Sequence, residues 1–144
     1  MARLRGGIGG TLVLDAEGLT KLAADHPAVF AVVKAAWKRQ GRVVTAASTL
    51  SEVLRGGPRD ASVHRALSRI TVVPIGEQQG RAAGELLGRT GLSGHRCALD
   101  ALLAVVALGQ PRPVVVLTSD PRDLGRLTDE PEIRKGQRVQ VVRI

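Results

Sequence analysis

The chain has 144 residues, 44% of them apolar, and 21 Lys and Arg against 13 Asp and Glu give it a net charge of +8. That is the size of one ordinary domain with a sizeable core, and its cationic excess suits a polyanion such as nucleic acid, or an acidic protein, better than a simple metabolite. The single cysteine, Cys97, excludes an intramolecular disulfide, and no apolar stretch approaches the ~18 residues of a membrane span, so a cytoplasmic protein without a membrane role is expected.

Residues 1–10, with Gly6, Gly7, Gly9 and Gly10, read as a flexible leader, and 11–144 as the folded domain. Thr11-Leu-Val-Leu14 is then an apolar run ending at Asp15, the pattern of a strand buried on both faces. Ala16 to Ala24 reads as a short helix, punctuated by His26-Pro27. Pro27 opens a second helix with Val29, Val32, Val33, Ala36 and Trp37 spaced by three and four, and Gly41 stops it. Arg42 to Ala46 is a second strand. Ser48 or Thr49 offers an N-cap to a helix bearing Leu50, Val53 and Leu54 on one face and Glu52 among them, broken at Gly56-Gly57-Pro58. Asp60 to Arg69 is a short helix, and Ile70 to Pro74 a third strand whose proline marks its end or a sheet edge. Glu77 to Arg89 is helical; Gly91, Ser93 and Gly94 make a loop. Ala98 to Leu108 is apolar nearly all round, a buried helix whose only charge is Asp100. Val114 to Thr118 is the fourth strand, leading into Asp120-Pro121, and Arg138 to Ile144 the last. Strands alternating with helices predict an α/β fold, a mostly parallel central sheet flanked by helices on both sides.

Four acids stand out in this basic chain. Asp15 and Asp120 end strands, and ligand crevices in open α/β sheets lie beyond the carboxyl ends of strands. Glu52 and Asp100 are placed in the first turns of helices that pack near those ends. Each acid has a structural alternative: Asp15 as a helix cap, Glu52 as a solvated charge, Asp100 as a partner for a helix dipole worth ~0.3–1 kcal/mol, and Asp120 as a cap before Pro121 with Asp123 reaching back. Gathered together, carboxylates repel one another and call for a divalent cation. An oxygen-only donor set suits Mg²⁺ or Mn²⁺, one ion or two, and suits Zn²⁺ poorly.

Other chemistries are poorly served. The glycines precede the first strand, whereas a phosphate-binding loop follows one. His26, His64 and His95 lack paired spacing for zinc. Cys97 reads as a small buried hydrophobe. Phe30 and Trp37, the only aromatics, fall at core-like spacing on one helix, so base-stacking platforms are excluded. Nucleic-acid contact would run through phosphates, with Arg55, Arg59, Arg96 and Arg122 as candidates near the acids.

The ordered set Leu12-Val-Leu-Asp15, Thr45-Ala-Ala-Ser-Thr-Leu-Ser-Glu52, Asp100-Ala-Leu-Leu-Ala-Val-Val-Ala107 and Thr118-Ser-Asp120-Pro-Arg-Asp123 resembles the PIN-domain ribonucleases, in particular the VapC-like toxins of type II toxin–antitoxin pairs. The resemblance spans nearly the whole chain. It implies a single PIN-like domain and a Mg²⁺- or Mn²⁺-dependent endoribonuclease that hydrolyses RNA with metal-activated water. It also implies a metal-binding and catalytic quartet of Asp15, Glu52, Asp100 and Asp120, supported by Thr118 and Asp123, together with a homodimer and a cognate antitoxin. Two departures touch substrate contacts: Leu124 stands where an aromatic is frequent, and Gly18 where a bulkier or hydroxyl residue is common. Two rival readings remain, a non-catalytic basic nucleic-acid-binding domain and, less favoured, an aspartyl-phosphate phosphotransfer domain using Asp15 with Glu17.

Overall fold

The computed structural model describes residues 9–144. Five parallel strands form one sheet: β1 (Thr11–Leu14), β2 (Arg42–Ala46), β3 (Thr71–Val73), β4 (Val114–Thr118) and β5 (Gln140–Arg143), in spatial order β3-β2-β1-β4-β5. The chain therefore winds outward from β1 through β2 to β3, then crosses back to lay β4 on the other side of β1. That reversal makes the gap between the carboxyl ends of β1 and β4 the topological switch point, where open α/β sheets bind ligands. Register aligns the two strands residue for residue, from Thr11 opposite Val114 to Leu14 opposite Leu117.

Helices cover both faces because the central strands are apolar on both. Leu12, Leu14, Val43 and Leu117 bury against α1 (Ala16–Ala23), α2 (Pro27–Lys38) and α4 (Ala61–Leu67). Val13, Val44, Val114 and Val116 bury against α5 (Glu77–Thr90), α6 (Gly94–Leu108) and α7 (Pro121–Leu127). Successive strand residues point to opposite faces, so each apolar run feeds two cores. A single helical turn, α3 (Leu50–Val53), follows a 3₁₀ turn over Ala47–Thr49 at the carboxyl end of β2. No single helix among the described residues is long and apolar enough to cross a membrane.

Several boundaries differ from the sequence expectation. The expected leader falls mainly outside the described residues, but Gly9 and Gly10 belong to the fold. The Gly9 carbonyl accepts from Arg39 Nε at 3.1 Å, and the Gly10 carbonyl from the Arg42 amide at 2.9 Å. Gly10 has φ +81°, and a Cβ there would collide with the Pro113 carbonyl, so only glycine fits. The helix expected from Ala98 starts earlier, at Gly94, because Ser93 caps it by accepting from the Arg96 amide at 3.4 Å. Asp100 is thus in its second turn and gains little from the dipole. Val32 and Leu99, counted among apolar faces, are exposed, and Phe30 and Trp37 are half-buried. Trp37 carries the Arg69 guanidinium 4.6 Å above its ring.

Candidate active site

The carboxyl ends of β1 and β4 and the first turns beyond β2 enclose an open cleft of about 250 Å³. Asp15, Glu52, Asp100 and Asp120 all line it, so four acids scattered over 106 positions of sequence are brought to one place. Thr49, Thr118, Ser119 and Leu99 complete the wall with Ala16, Glu17 and Leu103. Size alone does not single this cleft out. One of about 530 Å³ is lined by Arg89, Arg126, Asp129, Glu130 and Glu132 among others, but its charges are of mixed sign.

Asp15 is the best-fixed of the acids. Its backbone amide donates to the Leu117 carbonyl at 3.3 Å. Its Oδ1 accepts from the Gly18 amide at 2.7 Å, which caps α1, and its Oδ2 accepts from the Ser119 amide at 3.3 Å. Capping and a place in the cleft are therefore compatible, since each carboxylate oxygen keeps a further lone pair. Gly18, one of the two departures from the family pattern, is buried, and a Cβ there would meet Leu14 and Asp15 only at 3.4–3.5 Å.

Asp120 precedes Pro121 at the start of α7, but its side chain makes no capping bond. Instead its amide donates to Thr118 Oγ1 at 2.9 Å. Thr118, fully buried, thereby orients the turn that carries Asp120. Asp123 does not reach back to the helix start. Its Oδ2 lies 3.7 Å from the Cys97 thiol, outside the cleft lining. Cys97 is buried as expected, and burial, then the Asp123 charge, raises its thiol above the ordinary range.

Asp100 carries the electrostatic signature of the site. Desolvation first, then the charges of Glu52, Asp120, Asp123 and Asp15, push its carboxyl up to about 6. Glu52, at the rim, is raised as well, by partial desolvation and then by Asp15. Among the described residues the three ion pairs are Lys21–Glu17, Arg81–Glu77 and Arg112–Glu130. None neutralises these acids. The donor chemistry fits a hard divalent cation, being carboxylate and hydroxyl oxygen with no His or Cys in the lining. Among the described residues no three His, Cys, Asp or Glu side chains already stand in ligating geometry, so gripping an ion requires the carboxylates to close on it.

The basic candidates divide. Arg55 is folded back on α3, donating to the carbonyls of Ser51, Glu52 and Leu54. Arg59, Arg96 and Arg122 are exposed. The sequence did not point to Thr49 or Ser119 as lining residues, and Glu17 entered only through the phosphotransfer alternative. The hydroxyl residue between Thr118 and Asp120 was the available signal for Ser119.

A three-layer α/β domain with an acidic cleft at its switch point is the class defined by this fold and site. Residues 12–128 match the family model described as PIN domain, and the chain belongs to that family. Similar solved structures include VapBC2 from Rickettsia felis bound to a DNA fragment from their promoter, with 16% identity, TM-score 0.67 and coverage of 93% of this chain and 98% of that one. Another is VapBC-1 from nontypeable Haemophilus influenzae, with 20% identity, TM-score 0.62 and coverage of 92% and 97%. Curated proteins gave no significant match.

Proposed function

We propose that the protein is a Mg²⁺- or Mn²⁺-dependent endoribonuclease and acts as the toxin of a VapBC-like toxin–antitoxin pair. The observation that carries this reading is the meeting of Asp15, Glu52, Asp100 and Asp120 in one cleft of a PIN domain, with none of them in an ion pair among the described residues. Keeping uncompensated carboxylates together costs stability, and a binding function for a dication accounts for that cost. The same four residues would hold the ion, with Thr118 fixing the Asp120 turn and Asp123 behind them. A bound divalent ion supplies a nucleophile from water near neutral pH and steadies charge on phosphate oxygens. The chain's own contribution is positional. Amides of Gly18 and Ser119 fix Asp15, and Asp100 sits partly desolvated on α6 facing the other acids.

The net charge of +8 supports an RNA substrate engaged through its phosphates. An antitoxin partner is supported by family membership and by similarity to the VapBC structures from Rickettsia felis and Haemophilus influenzae; a homodimer is the family expectation. The test is cleavage of single-stranded RNA by purified protein with Mg²⁺, Mn²⁺ or EDTA. Cleavage is expected only with a divalent ion, and Asp15→Asn or Asp100→Asn should each lower it roughly 100-fold or more, the scale of losing one preorganised electrostatic group. Ion-independent cleavage, or wild-type rates in both variants, would reject the assignment. Salt-sensitive RNA binding without turnover would favour the non-catalytic alternative.

A further inference from the structure

We propose that Arg143 contacts a backbone phosphate of the RNA beside the acidic cleft and is a substrate-positioning residue; the inference rests on the ribonuclease reading above. The register of the last strand pair sets Arg143 opposite Thr118, at the same end of the sheet as Asp15 and Asp120. Val141, two residues earlier, packs into the core beneath α5, α6 and α7, so the period of two puts Arg143 on the face that bears Asp100. Its Nη1 donates to the Ser119 carbonyl at 3.3 Å. Ser119 in turn lines the cleft and gives its amide to Asp15 Oδ2. A single residue, Ser119, thus links the first acid to this guanidinium.

A guanidinium has five N–H donors, and the Ser119 carbonyl takes one of them. Arg143 is exposed and belongs to none of the three ion pairs among the described residues. Its guanidinium is therefore not committed to a carboxylate. Other arginines are spent: Arg55 on the carbonyls of its own helix, Arg112 on Glu130, and Arg138 on the Ile133 and Pro131 carbonyls. A planar fork held at the rim by one bond suits bidentate capture of a phosphate. Such a contact also offsets the repulsion between a polyanion and the acids it must approach.

The experiment pairs cleavage kinetics on a single-stranded RNA with Mn²⁺ and binding of the same RNA in EDTA across a salt series. Arg143→Gln is expected to raise KM about tenfold with kcat within about twofold, the effect of one charge-assisted bond. It should also flatten the dependence of log binding constant on log salt by ~0.7. Arg143→Lys should restore the slope and only part of the KM. Lys135→Gln, which removes the same charge near the opposite end of β5, should leave both unchanged. The proposal is overturned if Arg143→Gln keeps the wild-type KM and slope, if only kcat falls, or if Lys135→Gln gives the same change. Should Arg143→Gln melt early, the KM of Arg143→Lys decides: a raised value is expected, and a wild-type value overturns the proposal. Wild-type protein that cuts no RNA with either ion would sink the ribonuclease reading itself, while the salt slope in EDTA still tests the phosphate contact.

Discussion

The Thr45 hydroxyl donates to the Leu14 carbonyl at 2.8 Å, one residue before Asp15. Backbone pairing of β1 with β2 runs only as far as Val13 opposite Val44, so a side chain takes over where the ladder stops. On the other flank the Asp15 amide bonds to Leu117 of β4. The peptide carrying the first acid is therefore held from both neighbouring strands, and its side chain leaves the sheet in a fixed direction.

Thr45→Val keeps the shape and strand preference of this fully buried residue but leaves the Leu14 carbonyl without its partner. The expected loss is about 1–3 kcal/mol of stability, seen as a lower denaturation midpoint, together with slower RNA cleavage. Thr45→Ser should retain both. A Thr45→Val variant as stable and active as wild type would show that the bond fixes nothing.

Asp100 predicts an unusual pH dependence. Its carboxyl is raised from 3.8 to about 6 in the folded protein, so between those values the folded state binds the proton that the unfolded state has released. Stability of the metal-free protein should therefore fall as pH rises through that window, by roughly 1–2 kcal/mol for a partly exposed carboxyl screened by solvent. Asp100→Asn should abolish most of that fall and be more stable than wild type at pH 7, while losing cleavage. Urea midpoints in EDTA from pH 4 to 7.5 measure this, and a flat wild-type profile would contradict it.

Glu130 behaves with the opposite sign. Arg112 donates to it through Nη1 at 2.6 Å and Nη2 at 3.0 Å, and to the carbonyls of Leu108 and Gln137, tying the segment before β5 to the end of α6. The bond to Arg112 lowers the Glu130 carboxyl, so its contribution is present at neutral pH and is lost as pH falls below the ordinary glutamate range. Glu130→Ala should cost about 1–3 kcal/mol. Amide exchange at Gln140–Arg143 should quicken in that variant. Unchanged exchange there would mean that β5 is held independently of this pair.

The sequence made the layers legible because the unbroken apolar runs of Thr11–Leu14 and Val114–Thr118 and the helical period elsewhere reflect burial directly. It made the acids legible because a charge at the end of an apolar run has few structural reasons to be there. What it concealed is three-dimensional. Nothing local says that the β3-to-β4 crossover returns beside β1, which is what brings Asp120 to Asp15. Asp123 read as a helix cap, yet the approach of α6 to α7 points it at Cys97. Arg55 lay near Glu52 in sequence and looked free for a phosphate, but its guanidinium closes on its own helix. Arg143, 128 positions from Asp15, meets Ser119 only through a strand register that no local pattern reveals.

The most direct measurement is the anomalous difference map of a crystal soaked in Mn²⁺. A peak is expected in the cleft within carboxylate bonding distance of Asp15 and Asp100, with Glu52 and Asp120 closed toward it, and it should be lost in Asp100→Asn. A cleft with no peak at saturating Mn²⁺, with the four side chains still apart, would contradict the claim that these acids exist to hold a divalent ion.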